Sequence, residues 1–557
     1  MKLKAFHKRA PDRSGPAFPS RQKPGVDMNW ISPWKAAALL VCAAVALGLP
    51  PDASTPAQAA PPKAAAPPID SLTDEVVYHI FMRSFRDSNG DGQGDLNGVT
   101  ESIPYLRSLG VTAVLLTPLY PSRVYHNYFA TDFTGIDPEY GTMDDFRHLV
   151  AELHKAGIKI YLDMEFQYLA EGHPWWTAAL ADRNSPFADH LLWRDRAAGM
   201  AEDGPFNLRE IRHFGRDTHG VTTVDLKAPS VRAYFDRYLL DWVDPNRDGR
   251  FDDGVDGFRL DHMMDDLDSR GLLTNLFVEF WKPLFDTLRA TNPRLTFIAE
   301  QADWSDYGES YLTRADTSAI FAFPVEKALR GFDATALATA LDQTARITPP
   351  GKHQLLFAEN HDVSRIASDP QISPEKLRTA AALVFLLKGT PILYYGQELG
   401  MRGAGDAGYE TDEKDIPMRE AFKWSATDAG PNQALWYRRV GERYWDQRYA
   451  RDHDGVSVEE QDPKADSLLN RYRKLAALRR SHAALRGGTQ LVQAVKGSLL
   501  VIERSGGGER FAIVANLSAL PVTYDGPGSD TPDLVGGGGA RLRPWQTALF
   551  ALPPQAP

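Results

Sequence analysis

The chain has 557 residues, of which 43% are hydrophobic and 24% are charged, and its formal net charge at pH 7 is -11. This is the composition of a globular protein that is long enough for two or three domains. The negative balance argues against nucleic acid or an anionic membrane as the main partner and suits a neutral substrate. The one cysteine, Cys42, excludes an intramolecular disulfide within this sequence, and no cysteine-based metal site or nucleophile is expected.

The first 59 residues are predicted to form a signal-peptide region. Residues 36–49 are an apolar run too short to span a bilayer comfortably, and Ala57-Gln58-Ala59 provides a small-residue cleavage site. The segment before this run is long for a signal peptide, so Met28 is the more ordinary start. An uncleaved membrane anchor is the alternative, and lipidation of Cys42 is disfavoured by the bulky residue before it. The mature protein is therefore expected to be secreted, with no stable membrane span.

Strand-like and helix-like runs alternate from residue 76 onwards, after a Pro/Ala-rich segment at 60–72 that is predicted to be a disordered linker. The helical runs are amphipathic, for instance 143–156 and 374–387. Eight such units over about 330 residues predict an α/β fold, a (β/α)8 TIM barrel. The strand candidates lie at residues 76–81, 111–117, 158–164, 255–261, 295–300, 318–323, 354–358 and 391–395.

Two segments do not follow this alternation. The stretch between the third and fourth strand candidates is polar, Trp-rich and too long for one helix, which predicts an inserted subdomain over the barrel mouth. After the last barrel helix, short apolar runs with Gly-rich turns predict a small antiparallel β-sandwich. The predicted domains are the barrel at 73–166 and 225–484, the inserted subdomain at 167–224 and the C-terminal sandwich at 485–557.

Three carboxylates stand at the ends of strand-like runs: Asp261 in GFRLD, Glu300 in FIAE and Asp362 in ENHD. The carboxyl ends of barrel strands converge on one face, where side chains surround a substrate. Cleavage of an acetal needs one carboxylic acid to protonate the leaving oxygen and one carboxylate to meet the cationic sugar carbon. For the GFRLD motif alone, a structural ion pair between Arg259 and Asp261 is the alternative. The three carboxylates together favour a glycosidase site.

The motifs GFRLD, AE and NHD, in this order, resemble those of the alpha-amylase family of glycoside hydrolases. The resemblance extends from about residue 76 to the end of the chain and includes DSNGDGQGD at 87–95 and PILYYGQE at 391–398. It implies that Asp261 is the nucleophile, Glu300 the acid/base and Asp362 the stabiliser of the transition state. It also implies a retaining mechanism, with the nucleophile and the acid about 5–5.5 Å apart.

The resemblance further implies which residues surround the cleaved sugar. Arg259 would position the nucleophile and keep it ionised, His361 would bind sugar hydroxyls, and Tyr128 would stack under the sugar ring. Asp163 would connect these groups. The candidate substrate-binding residues are Tyr128, Asp163, Arg259, His361, His126 and Tyr168.

The sequence departs from the family pattern at three places. The first family motif usually reads D-x-V-x-N-H, whereas residues 163–168 read DMEFQY. Gln167 thus replaces an Asn that commonly binds structural calcium, and Tyr168 replaces a His that contacts the sugar. Residues 262–265 (HMMD) differ from the usual sequence after the nucleophile, which leaves acceptor-side specificity open. Phe129 stands where exo-acting alpha-glucosidases usually have an Asp that closes the pocket, and this favours a cleft for longer chains.

Two acidic loops are candidate calcium sites. Oxygen-bearing side chains at every second residue, with a glycine for the bend, are what Ca²⁺ requires. Neither loop has the Glu at the twelfth position of an EF-hand, and a solvated acidic turn is the alternative for each. The family resemblance supports the first loop. The candidate ligands are Asp87, Asn89, Asp91, Gln93 and Asp95 in the first loop and Asp244, Asn246, Asp248 and Asp252 in the second.

The expected function is that of a secreted alpha-amylase-like hydrolase of α-1,4-linked glucose chains. Its substrate would be starch or maltooligosaccharides, Ca²⁺ would be structural, and the chain would act as a monomer. An alpha-glucosidase or oligo-1,6-glucosidase is the nearest alternative, and a transglycosylase with the same site is the next. A non-catalytic carbohydrate-binding protein would be a different class and would require a broken set of carboxylates, whereas all three are present.

Overall fold

The computed structural model of the chain describes residues 72–212, 218–405, 412–439 and 442–554. The predicted signal-peptide region and all but the last residue of the predicted linker lie outside the described residues. Leu72, that last residue, is buried and begins a 3₁₀ helix, so the prediction of disorder is wrong at this position. No helix in the part of the chain that the structure describes is both long and apolar enough to cross a membrane.

Strands and helices alternate through most of the described chain. The strands are β1 (Val77–Ile80), β2 (Ala113–Leu116), β3 (Lys159–Met164), β4 (Tyr168–Ala170), β5 (Trp193–Asp195), β6 (Met200–Ala201), β7 (Glu210–Arg212), β8 (Thr218–Thr223), β9 (Gly257–Met263), β10 (Thr296–Gln301), β11 (Ala319–Phe321), β12 (His353–Leu356), β13 (Thr390–Tyr394), β14 (Thr489–Lys496), β15 (Leu499–Gly506), β16 (Glu509–Asn516), β17 (Val522–Thr523), β18 (Arg541–Leu542) and β19 (Thr547–Ala551). The α-helices are α1 (Met82–Phe85), α2 (Leu96–Glu101), α3 (Ile103–Leu109), α4 (Met143–Lys155), α5 (Pro174–Ala181), α6 (Pro229–Val243), α7 (Lys282–Thr291), α8 (Glu309–Thr313), α9 (Phe323–Gly331), α10 (Ala334–Ile347), α11 (Pro374–Leu386), α12 (Glu442–Gln447), α13 (Val458–Gln461), α14 (Leu468–Ser481) and α15 (Ala483–Arg486).

Eight parallel strands close into a barrel, which confirms the predicted fold class. Around the barrel the order is β1, β2, β3, β9, β10, β11, β12 and β13, and β13 pairs with β1. Each of the eight strand candidates overlaps one of these strands. The barrel strands are buried on both faces, for example at every residue of β1 and β2, because side chains fill the interior and helices cover the outside.

The covering helices show why the sequence folds in this way. In α4 the buried residues Phe146, Leu149, Val150 and Leu153 recur at helical spacing and face the barrel core. The helix begins with a capping box, in which the Thr142 side chain accepts from the backbone N–H of Asp145 and the Asp145 carboxylate accepts from that of Thr142. This local signal fixes the start of the predicted helical run.

Two smaller sheet regions flank the barrel. Between β3 and β9, strands β4, β8 and β7 form a three-stranded antiparallel sheet, and β5 pairs with β6. At the C-terminus, β14, β15, β16 and β19 form a four-stranded antiparallel sheet, on which the β17–β18 ribbon packs through a shared apolar cluster. Strand β14 was not predicted from the sequence, because its residues are mostly exposed and lack an apolar run.

The register of β3, β9 and β10 determines which side chains meet at the carboxyl end of the barrel. Strand β3 pairs with β9 so that Asp163 lies beside Arg259. Strand β9 pairs with β10, with a register shift after Ala299. A Cβ on Gly257 would lie 2.0 Å from the carbonyl oxygen of Thr296. The close approach of β9 to β10 therefore requires glycine at this position.

Candidate active site

The guanidinium of Arg259 lies at the centre of the site and contacts three carboxylates. Its Nη1 is 2.7 Å from Asp163 Oδ1 and 2.5 Å from Asp261 Oδ1, and its Nη2 is 2.8 Å from Glu300 Oε2. Arg259, Asp163 and Glu300 are buried, while the Asp261 side chain is 19% exposed. The structure thus brings together Asp261 and Glu300, the two residues that are predicted to perform the chemistry.

The buried carboxyls of the site differ in how readily they ionise. Burial and the charges of Asp261 and Asp362 raise the pKa of Glu300 well above the ordinary value of a glutamic acid, although Arg259 opposes this. Burial also raises the pKa of Asp163 to about 7, again against the effect of Arg259. The raised pKa of Glu300 favours its protonated form, which is the form that a proton donor to a leaving group needs.

Tyr128 and His361 form one wall of the site. Their rings are nearly parallel, 8° apart, with centroids separated by 5.7 Å. The Tyr128 hydroxyl donates to Asp163 Oδ2 at 2.7 Å and lies 2.9 Å from His361 Nε2. Burial and the neighbouring guanidinium groups lower the pKa of His361 well below the usual value, so this imidazole is neutral. The wall offers neutral groups, which suits an uncharged ligand.

Asp362 approaches the site from the loop after β12. Its Oδ2 is 3.1 Å from His361 Nε2, and its Oδ1 accepts from Arg419 Nη2 at 3.0 Å. Arg419 is buried and also donates to the carbonyl of His361. Arg419 was not predicted as a site residue, because nothing in the run IPMRE indicates that this arginine contacts a distant loop.

Gln167, which replaces the Asn of the family motif, has a structural contact of its own. The fully buried side chain donates through Nε2 to the carbonyls of Asp261 at 2.5 Å and His262 at 3.1 Å. The carboxamide therefore connects the end of β3 to the backbone that bears Asp261.

Tyr168 does not join the Arg259 cluster. Its hydroxyl donates to Asp268 Oδ2 at 2.9 Å, and Asp268 Oδ1 lies 3.0 Å from His262 Nε2. The ring of Phe206, which is 73% exposed, lies 5.4 Å from the ring of His262. Tyr168, His262 and Phe206 thus form a polar and aromatic patch beside the backbone that follows Asp261.

His126 and Phe129 flank Tyr128 on the same loop. His126 is buried, accepts from the Tyr128 backbone N–H at 3.2 Å and lies 3.7 Å from Asp412 Oδ2. The backbone N–H of Phe129 donates to Glu165 Oε2 at 3.0 Å, and Glu165 Oε1 accepts from the N–H of Tyr168. Glu165 was not singled out from the sequence, although it lies within the departing motif at 163–168. Its carboxyl fastens the Tyr128 loop to the end of β3, and burial raises its pKa to about 8.

The predicted calcium loops have an all-oxygen set of candidate ligands, which suits a hard cation. In the first loop Asp87 accepts from the backbone N–H groups of Asn89, Gly90 and Gly92, and Gln93 Oε1 accepts from Arg83. Within the described residues no group of three or more His, Cys, Asp or Glu side chains could hold a metal ion. Calcium here would therefore also need amide or backbone oxygens and water, and it stays a prediction for both loops.

The second loop is built in the same way as the first. Asp244 accepts from the backbone N–H groups of Asp248 and Gly249, and Asn246 accepts from that of Asp248. The carboxylate of Asp248 is paired with Arg250. In the first loop, Asp95 is likewise engaged within the chain, because its side chain accepts from the backbone N–H of Gly98 and caps α2.

Chelation tests the calcium prediction. Exhaustive treatment with EDTA is expected to lower the melting temperature by several degrees, and added Ca²⁺ should restore it, because a ligand that binds only the folded chain stabilises it. The variants Asp87→Asn and Asp244→Asn separate the two loops, with Asp342→Asn on an exposed helix face as the control. An unchanged melt together with no metal by elemental analysis would count against both loops.

Comparison with known proteins finds an alpha-amylase family model and relatives that match most of the chain. The family model described as "Alpha amylase, catalytic domain" matches residues 79–488. The chain is 27% identical to alpha-amylase 3 of Dictyoglomus thermophilum, over 81% of this chain and 86% of that protein. It is 28% identical to the 4-alpha-glucanotransferase of Thermotoga neapolitana, over 81% and 97% of the two chains. It is 26% identical to the probable oligo-1,6-glucosidase 2 of Bacillus subtilis, over 82% and 92%.

A solved structure supports the fold. The crystal structure of the alpha-amylase from H. orenii superposes with a TM-score of 0.71 at 24% sequence identity, and the match covers 86% of this chain and 99% of that one. At this identity the likeness shows that the two chains share a fold.

Proposed function

The chain belongs to the alpha-amylase family of retaining glycoside hydrolases and related transglycosylases, and from this we propose that it hydrolyses α-1,4-glucosidic bonds of starch and maltooligosaccharides. The observation that supports the proposal most is the Arg259 cluster. One guanidinium contacts both Asp261 and Glu300, so two carboxyl groups stand beside one another at the end of the barrel, and the pKa of one of them, Glu300, is raised by burial. A double displacement at an acetal needs this pair.

In the proposed reaction Glu300 donates its proton to the glycosidic oxygen while Asp261 attacks the sugar carbon. The bond to the leaving group breaks and a covalent glycosyl-enzyme forms. Glu300, now ionised, then removes a proton from water, which attacks the same carbon and releases Asp261. Arg259 holds Asp261 in place, because its Nη1 lies 2.5 Å from Asp261 Oδ1. Asp362, held by Arg419, would bind the sugar hydroxyls as positive charge develops on the ring.

Phe129 supports action on long chains. An Asp at this position would place a carboxylate where a pocket for the non-reducing end closes, whereas Phe129 presents a half-buried ring near Tyr168. The ring offers neither charge nor hydrogen-bond acceptors to a terminal sugar. A glucan that continues past this point is therefore the proposed substrate.

Transglycosylation on the same site is the second candidate. The exposed ring of Phe206 beside His262 could hold an acceptor sugar next to the glycosyl-enzyme and keep water out. One similar protein is named 4-alpha-glucanotransferase. The two candidates differ only in whether water or a sugar hydroxyl attacks the intermediate.

A digest of starch and of maltotriose, with products resolved by size, tests the proposal. Internal fragments of intermediate length are expected from starch early in the reaction. Products longer than maltotriose would favour transfer, and glucose alone from both substrates would favour an alpha-glucosidase. Isomaltose is the matched substrate for an oligo-1,6-glucosidase, and rapid cleavage of it would contradict the α-1,4 assignment.

We also propose that the protein is secreted after removal of residues 1–59 and that it acts as a monomer. The apolar run at 36–49 and the cleavage site at Ala57-Gln58-Ala59 support export. An N-terminal sequence of the exported protein that begins before residue 57 would contradict this cleavage.

A further inference from the structure

A cavity of about 660 Å³ lies between the barrel helices α11 and α14 and the C-terminal sheet region. It is lined by none of the residues of the candidate active site. A volume of this size accommodates a small organic ligand. Its charged lining residues are Arg378, Arg471, Lys474 and Arg543, with Glu375 and Asp466 as the two acids.

The four cationic side chains are not neutralised by ion pairs within the described residues. Their hydrogen bonds go to neutral oxygens instead. Arg378 donates to the carbonyl of Asp466, Arg471 to that of Val535, and Lys474 to that of Ala465. Arg543 donates to the side-chain amide of Gln546. The basic lining is unusual for a chain of net charge -11.

Arg471 shows that these charges are close enough to repel one another. It is half-buried, and its Nε has no partner within the described residues. Burial lowers its pKa, and the positive charges of Arg378 and Arg543 lower it further, while Asp533 opposes them. The carboxylate of Asp533 accepts from the backbone N–H groups of Val535, Gly536 and Leu549. The cluster therefore holds like charges together without an ion pair to a carboxylate within the described residues, although Glu375 and Asp533 interact with them electrostatically.

The rest of the cavity adds a polar end and an aromatic side. Ser467, in the lining, caps the N-terminus of α14, a 14-residue helix whose dipole favours an anion at this end. Trp545 provides a flat apolar surface, which Lys376 approaches to 4.3 Å from the ring centroid. The four cations of the lining outnumber the two carboxylates of the lining together with the nearby Asp533, so the cavity keeps a positive charge that suits an anion.

We propose that this cavity binds a small phosphate-bearing anion. A phosphate has a charge of about -1.5 to -2 near neutral pH and three acceptor oxygens, and arginines bind such a group through parallel hydrogen bonds. The Trp545 ring would cover the organic part of an ester. Because α11 and α14 belong to the barrel and Trp545 to the C-terminal region, the ligand would connect the two.

The test measures binding of inorganic phosphate and of glucose 6-phosphate to the full chain by calorimetry, at constant ionic strength set with chloride. At least one of them is expected to bind and to raise the melting temperature. The double variant Lys474→Gln/Arg543→Gln changes two exposed residues and should weaken binding at least tenfold. Lys496→Gln/Arg541→Gln removes the same charge elsewhere in the C-terminal region and should leave binding unchanged. Starch hydrolysis should be unaffected in both, because none of the four residues contacts the active site.

Two results would overturn the proposal. One is the absence of binding by either phosphate compound above the chloride background. The other is binding that Lys474→Gln/Arg543→Gln leaves unchanged. Arg471→Lys provides a further variant that keeps the charge but loses the paired geometry, and it should bind phosphate more weakly than the unaltered chain. The relative affinities of the two compounds then distinguish free phosphate from a phosphate ester as the ligand.

Discussion

Replacement of Asp261 by Asn is expected to lower kcat on maltooligosaccharides by on the order of 10⁴-fold or more, the scale of loss when an enzyme loses its nucleophile. The amide has nearly the shape of the carboxylate but cannot form the glycosyl-enzyme. Arg259 would keep its contacts to Asp163 and Glu300, so the fold and sugar binding should persist. Stopped assays with product separation, together with calorimetric titration of maltotetraose, measure the two effects.

Asp342→Asn is the matched control, because Asp342 lies exposed on α10. It should have the activity of the unaltered chain. An Asp261→Asn protein that is folded and turns over at the normal rate would remove the nucleophile assignment. An unaltered chain that binds maltotetraose but shows no turnover would instead fit a non-catalytic carbohydrate-binding protein.

Replacement of Glu300 by Gln is expected to lower kcat on natural glucans by roughly 10² to 10⁴-fold, the contribution typical of a general acid–base catalyst. The loss should be much smaller in the first step for an aryl maltoside with a good leaving group, since such a group departs without a proton. In the unaltered chain, activity should be present below the raised pKa of Glu300 and decline as the pH rises through it, because the acid loses its proton.

This decline at high pH should be absent from the residual activity of Glu300→Gln, which cannot ionise. Glu309→Gln is the matched control, because Glu309 is exposed at the start of α8. If Glu300→Gln lowers the rate of the first step by the same factor for the aryl maltoside and for starch, Glu300 is not the proton donor. Pre-steady-state and steady-state rates across pH provide the measurement.

Much of the barrel could be predicted because its signals are local. Each strand is a short apolar run that is buried on both faces, and α4 and α11 begin at capping residues visible in the sequence. Strand β14 was missed because its exposed, alternating residues resemble surface chain. The domain boundaries and the calcium loops stay predictions.

The residues at the centre of the site were also predicted, as was the contact between Arg259 and Asp261, whereas the contact between Arg259 and Glu300 was not. Asp261, Glu300 and Asp362 belong to short motifs that can be recognised in the sequence. Arg419 and Glu165 were not predicted as site residues, because their contacts are with loops that meet only in the folded chain. Tyr168 was named as a substrate-binding residue from its place in a motif, yet its hydroxyl is engaged with Asp268.

The sequence by itself determined the alternation of strands and helices, the eight-fold barrel and the identity of three carboxylates, since each depends on residues that are adjacent along the chain. Only the tertiary structure decided that one buried guanidinium joins Asp163, Asp261 and Glu300. It also decided that four cationic side chains, from residues that are distant from this site in the sequence, line one cavity. The physical reason is that charge interactions and burial depend on distance in space. Positions far apart in sequence acquire these distances only when the barrel closes and the C-terminal region packs against it.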